Sequence, residues 1–230
     1  MSLDATRDVA RRIGAHVMAR ARYRAVGRID LCPTPGGFGT PAFGADHCVI
    51  RVSGGLLVLE STGSSATTRS IAIDGSSLAE LAVFAGVDLD GHFDVGHDTP
   101  VVGDVNARLS FDGGFANALG DWWGLGLRAI DAAIAELPAS SAPGRARIWP
   151  EHFDLGVDVA AADGTRLNLG ASAGDHFSDD CYLYVAPWGT QRPGDESFWN
   201  APFGAALSRS QVAGATDATA FFGAGLARFS

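Results

Sequence analysis

Two short strings in this chain share the letters HFD: His92-Phe93-Asp94 and His152-Phe153-Asp154. Imidazole and carboxylate side chains placed together are the groups of general acid–base catalysis and of divalent transition-metal sites. Around the second string the residue types alternate. Phe153, Leu155, Val157 and Val159 are separated by His152, Asp154, Gly156 and Asp158, the period-two pattern of a half-buried strand. The following apolar pair is Leu167 and Leu169. A two-residue bend would set Val159 against Asn168, on the wrong face. A three-residue bend at Ala162-Asp163-Gly164, with Gly in the left-handed position, pairs Val159 with Leu167 and Val157 with Leu169. This register sets Asp158 opposite Asn168 and Asp154 opposite Ser172, and it carries His152 toward Gly174, just before Asp175 and His176. His152, Asp154, Asp175 and His176 are therefore the candidate catalytic residues, one imidazole moving a proton while a neighbouring carboxylate orients it. His92, Asp94, His152 and His176 are the corresponding candidate ligands of a divalent transition metal.

A plainer reading stands beside this one. Alternating His and Asp are the ordinary composition of a sheet face turned to water, and the spacing lacks the fixed geometry of H-E-x-x-H. The earlier segment has the same build, with Val87, Leu89, Phe93 and Val95 among Asp88, Asp90, His92 and Asp94, but it has no Glu at the twelfth position of a calcium loop. Gly170-Ala171-Ser172-Ala173-Gly174 matches G-x-S-x-G. A polar run follows it rather than an elbow helix, and no His lies beyond His176, so a serine hydrolase is disfavoured. The Gly-rich stretch 34–44 fits neither dinucleotide-binding nor phosphate-loop spacing, and no cofactor-binding residues are assigned; its Phe38 and Phe43 suit a flap pinned over a pocket. Tyr182, Tyr184, Trp188, Trp199 and Phe38 are the candidate lining of a ligand pocket, with an aromatic core as the competing reading.

The elements that must position these groups are legible in part. An amphipathic N-terminal helix carries Val9, Ile13 and Val17 on one stripe and a solvated Arg face. CVIRVSGGLLVLE (48–60) reads as a hairpin whose Gly54-Gly55 turn pairs Val52 with Leu57 and Ile50 with Leu59. A third strand is expected at 67–73, and a short helix at 76–86 with a Ser77/Glu80 capping box. Phe115 to Leu137 places Leu119, Trp122, Trp123, Ile130 and Ile134 on one stripe of a long core helix. Strands follow over 149–185, then a closing helix at about 216–229 capped by Thr216. Hairpins outnumber βαβ alternation, which gives an α+β fold: antiparallel sheets packed on an N-terminal, a long central and a C-terminal helix. The Pro/Ser/Ala-rich stretch 138–145 divides the chain into 1–140 and 141–230, two parts expected to pack as one unit.

Composition excludes several chemistries. All 17 basic residues are Arg, so no lysine Schiff base, pyridoxal phosphate lysine or phosphate-loop lysine is available. Three widely spaced cysteines suggest neither a disulfide framework nor a thiolate zinc site. A net charge of −9 argues against a nucleic-acid partner, no apolar run has the length of a membrane span, and Asp4 and Asp8 argue against a transit peptide in the Arg-rich opening. The expected setting is cytoplasmic.

The strings TPGGFGTP, W-P-E-H-F-D at 149–154, G-A-S-A-G-D at 170–175 and Y-L-Y-V-A-P-W at 182–188 resemble a family of uncharacterised, mostly actinobacterial proteins, over most of the chain. Cys181 departs from that pattern, which has Pro there. The resemblance implies no activity. The residues themselves point to a small-molecule site, with acid–base or metal-assisted catalysis as one reading. A non-catalytic binding module or a self-associating homo-oligomer is the other, and whether the protein is an enzyme stays open.

Overall fold

The computed structural model describes residues 3–63, 66–138, 141 and 143–229. The fold is α+β, with two antiparallel sheets and an N-terminal, a long central and a C-terminal helix. No described helix is long and apolar enough to cross a membrane. The chain divides into two compact units, one formed by Met1–Asp121 with Ile148–Phe153 and the other by Trp122–Arg147 with Asp154–Ser230. The division therefore falls within the long helix and at Phe153, not at 140/141. Residues 139, 140 and 142 of the expected linker lie outside the described residues.

Unit 1 begins with a helical run: α1 (Leu3–Arg12), a π-helical segment (Ile13–Ala19) and α2 (Arg20–Val26). Every residue of the π segment is buried, His16 included. The expected solvated Arg face is only partly present, because Arg20 and Arg22 are 5% and 7% exposed. Their guanidinium groups have found internal acceptors, Arg22 the Asp30 carboxylate and Arg20 a row of loop carbonyls. The sheet has the order β1-β2-β3-β4-β5, from β1 (Cys32–Thr34) and β2 (Gly37–Gly39) through β3 (Val49–Ser53) and β4 (Leu56–Ser61) to β5 (Thr67–Ala72). β3 and β4 pair in the expected register, Val52 with Leu57 and Ile50 with Leu59. The short helix α3 (Leu78–Phe84) starts at the expected Ser77/Glu80 capping box.

The Gly-rich stretch is a strand pair rather than a flap. Phe38 is fully buried and meets Phe153 edge-on at 5.1 Å. The glycines allow close backbone approach: a Cβ on Gly120 of α4 (Gly113–Ala135) would come within 2.5 Å of the Gly37 amide.

In unit 2, α4 continues from Trp122, and the strands β7 (Asp154–Ala160), β8 (Arg166–Ser172), β9 (Tyr182–Pro187) and β10 (Ala205–Ser208) run in the order β10-β9-β8-β7. The strand before them, β6 (Arg147–Trp149), bridges Ile148 to Leu31 within unit 1. The β7–β8 register is the expected one: Val159 faces Leu167, Val157 faces Leu169, Asp158 faces Asn168 and Asp154 faces Ser172. Gly164 takes a φ of 87° at the third position of the bend, the conformation that selects Gly there. On the apolar face the indoles of Trp122 and Trp123 donate to the carbonyls of Ser172 and Ala171 at 2.9 and 3.0 Å, fastening α4 to β8. The C-terminal helix α5 (Ala215–Ala227) packs Gly225 against Val185. Its N-cap is Gly214 with no side-chain cap, so Thr216 does not cap it; Asp217 instead accepts a hydrogen bond from the Ala213 amide at 2.9 Å.

Candidate functional site

The alternation expected from His152 onward begins two residues later. Residues 150–153 form a turn, with the Phe153 amide donating to the Trp149 carbonyl at 2.7 Å, and Phe153 has a φ of 55°. Burial of the Phe153 ring holds this unfavourable backbone region. The consequence is that the HFD string is split. His152 belongs to unit 1 and Asp154 to unit 2.

In unit 1, His152 Nδ1 lies 3.1 Å from Asp98 Oδ2, and its Nε2 lies 3.4 Å from Glu151 Oε1. The Glu151 carboxylate sits against Gly96, where a Cβ would collide with it and φ is 143°. Arg11 ties the two segments together by donating to the carbonyl of Glu151 at 2.8 Å and that of Asp98 at 3.3 Å. The two HFD regions thus meet, but through Asp98 and Glu151 rather than through their shared letters. His92 is exposed and 3.9 Å from Asp94. The Asp94 carboxylate accepts from the Thr99 hydroxyl and, at 2.8 Å, from the Gly96 amide; these bonds hold its pKa below the usual carboxylate value.

Beneath this irregular segment is a cleft of about 380 Å³, whose lining includes His16, Arg20, Phe93, Asp94, His97 and Thr99. The helical run supplies the floor. Arg20 donates to the carbonyls of Leu89, Asp90 and Gly91 and lies over the Phe93 ring at 5.4 Å, and Arg12 donates to the Val102 carbonyl at 2.6 and 2.9 Å. The carbonyls of an irregular segment are thereby given fixed donors, which strands or helices would otherwise supply. His16 Nε2 is 2.7 Å from the Pro100 carbonyl. A carbonyl only accepts, so Nε2 carries the proton and the lone pair of the neutral ring is on Nδ1. Burial lowers the His16 pKa most; the Pro100 bond opposes it, and the positive charges of Arg12 and Arg20 each add a smaller lowering effect.

In unit 2 tyrosine hydroxyls engage the candidate carboxylates. Tyr184 lies across β8, where a Cβ on Gly170 would collide with its ring, and its hydroxyl donates to Asp154. Tyr182 donates to Asp175 at 2.8 Å. Phe203 stacks on Tyr182 at 6.1 Å, and Phe177 meets both Tyr182 and Phe203 edge-on at 5.3 and 5.0 Å. Burial first, and the adjacent carboxylates second, push both tyrosines above their ordinary value. The G-x-S-x-G match is explained by this packing. Gly170 makes room for a ring, and the Ser172 hydroxyl accepts from the Gly174 amide at 3.1 Å. His176 is exposed, with no hydrogen bond or ion pair to any described residue.

The four expected catalytic residues are therefore distributed: His152 with Asp98, Asp154 with Tyr184, Asp175 with Tyr182, and His176 in solvent. Among the described residues no three His, Cys, Asp or Glu side chains are grouped to hold a metal ion. The expected aromatic pocket also separates. Phe38 is core, Tyr182 and Tyr184 belong to the carboxylate cluster, and Trp199 is fixed by its 3.0 Å bond to the Pro193 carbonyl and by Arg192 over its ring. Trp188 is 66% exposed beside Arg166 and Asn168. Sequence reasoning missed His16, Arg20 and Asp98. The available signal was His16 itself, three residues after Ile13 and next to Val17 on the apolar stripe of the first helix. No family model, curated protein or solved structure matches this chain.

Proposed function

We propose that the protein binds a small polar molecule in the unit 1 cleft beneath residues 88–102 and that His16 is the proton acceptor there. The observation carrying this reading is a buried, neutral imidazole, oriented through Nε2 by the Pro100 carbonyl, in the lining of a cleft of about 380 Å³. That volume lies in the range of small-molecule sites, and an imidazole held unprotonated by its surroundings keeps a ring lone pair free at neutral pH. Arg12 and Arg20 act as positioning residues, since their donors are engaged by loop carbonyls. His97 and Asp94, with Thr99 beside them, supply further polar groups for orienting a ligand.

A ligand screen followed by NMR tests this. Compounds from a polar fragment library should shift the amide signals of residues 91–101 and the His16 ring signals together. Binding should weaken at least tenfold in an Arg20→Met variant. Hits that leave those signals unmoved, or a library without hits, would refute the assignment. For any ligand found to be transformed, His16→Gln should abolish turnover while changing affinity less; an unchanged rate would leave a binding module.

A further inference from the structure

We propose that the groove between β5 and α3, away from the His16 cleft, takes an extended acidic peptide as an added strand of the unit 1 sheet. β5 is the end strand of that sheet. Its ladder with β4 continues through the Ile73 amide, which donates to the Gly55 carbonyl at 2.9 Å. In an antiparallel pair the backbone groups alternate in direction, so residues 71, 69 and 67 address β4 while Thr68, Ser70 and Ala72 turn outward. Ser76 Oγ takes the Ala72 carbonyl at 2.6 Å, and no backbone hydrogen bond among the described residues meets the outward groups of Thr68 and Ser70.

Proteins usually blunt such an edge with Pro, Lys, a bulge or a cover. Residues 67–72 contain neither Pro nor Lys, the register with β4 has no bulge, and every β5 residue except the half-buried Ile71 is exposed. Beside this edge is a cavity of about 810 Å³ lined by Ile71 from β5, by Ala79, Val83 and Phe84 from α3, and by Asn106 and Arg108. Val83 is 78% exposed there. An open edge flanked by a helix gives an incoming chain backbone hydrogen bonds for affinity and an apolar recess for alternate side chains.

Charge decides the kind of chain. Arg69 shares the Ile71 side of β5 and lies over the Phe84 ring at 5.3 Å, with no carboxylate paired to it among the described residues, whereas Glu80 is occupied by Arg108 at 2.7 Å. On a protein of net charge −9 this is a local positive point beside a groove whose apolar part is Ile71, Ala79, Val83 and Phe84 and whose polar part includes Ser76, Ser77 and the Glu80–Arg108 pair. It selects a strand that alternates apolar and acidic side chains.

Selection from a random octapeptide phage library on the whole immobilised chain tests the proposal. Enriched sequences should be rich in Asp or Glu and in β-branched residues, and as synthetic peptides they should shift the NMR signals of Thr68, Ser70 and Val83. Ser70→Pro, which removes an outward donor, should weaken them at least tenfold, with unchanged circular dichroism as the folding control. Arg69→Glu leaves the backbone edge intact and should reverse the preference toward basic peptides. Absence of enrichment, no acidic bias, or indifference to both variants would overturn it. A dimer that Ser70→Pro converts to monomer would also overturn it, since a second copy would then be the occupant.

Discussion

The two units treat buried polar groups differently. In unit 2 each candidate carboxylate is matched to a tyrosine hydroxyl, Asp154 to Tyr184 and Asp175 to Tyr182, under a roof of Phe177 and Phe203. In unit 1 the arginines of the first helix are matched to carbonyl oxygens of an irregular segment, and a cleft with a neutral imidazole is left beneath it. Side chains that satisfy one another give rigidity and little chemistry. Side chains spent on backbone carbonyls hold a loop in place and leave the neighbouring titratable groups available.

The largest expected effect is at Gly170. Gly170→Ala should destabilise by about 3 kcal/mol through overpacking against Tyr184, read from urea unfolding. The same change in a Tyr184→Ala background should cost far less, because the ring it meets is gone. Additive costs would mean that Tyr184 does not define the unit 2 cluster.

Arg20→Met should cost about 2 kcal/mol by leaving the 89–91 carbonyls without their donor, and hydrogen exchange should quicken over 88–102 ahead of the rest of the chain. Uniform acceleration would show that the segment is held by other means.

Smaller effects separate the units by pH. The His16 pKa is depressed below its ordinary 6.5, so above that value His16 is neutral in both states. As pH falls below 6.5 the unfolded chain takes up the proton first, and stability drops by at most about 1.4 kcal/mol per pH unit until the folded ring also titrates. His16→Gln should remove that part of the acid slope. Tyr182 and Tyr184 are shifted upward from 10.0, so their contribution is complete below pH 10.0 and is lost as pH rises beyond it, when the unfolded chain releases the proton first. Tyr184→Phe should flatten the alkaline limb and leave the acid limb unchanged. The smallest expected effect is at Trp188, where substitution by Ala should change unfolding stability by no more than about 0.5 kcal/mol, as its ring is mostly in solvent.

Much of the fold follows from local rules. The Gly54-Gly55 hairpin, the Ser77/Glu80 cap, the long helix and the 162–164 bend each depend on periodicity or turn chemistry within a short window, and each is present in the expected register. The same register correctly set Asp154 opposite Ser172. It failed one step earlier, at Phe153, where burial of a ring overrides the strand alternation and sends His152 and Asp154 into different units.

The sequence by itself determined the Gly54-Gly55 and 162–164 hairpins, the Ser77/Glu80 cap, the long helix and the lack of any lysine chemistry, because those depend on residue types and neighbours along the chain. Only the tertiary structure decided which polar groups are engaged and which remain available. Arg20 meets carbonyls 69 to 71 residues away, His16 meets Pro100 across 84, and Tyr184 meets Asp154 across 30. No periodicity encodes such partners. They are fixed by the cost of burying a polar group without a partner, which distant segments reduce only once they have packed.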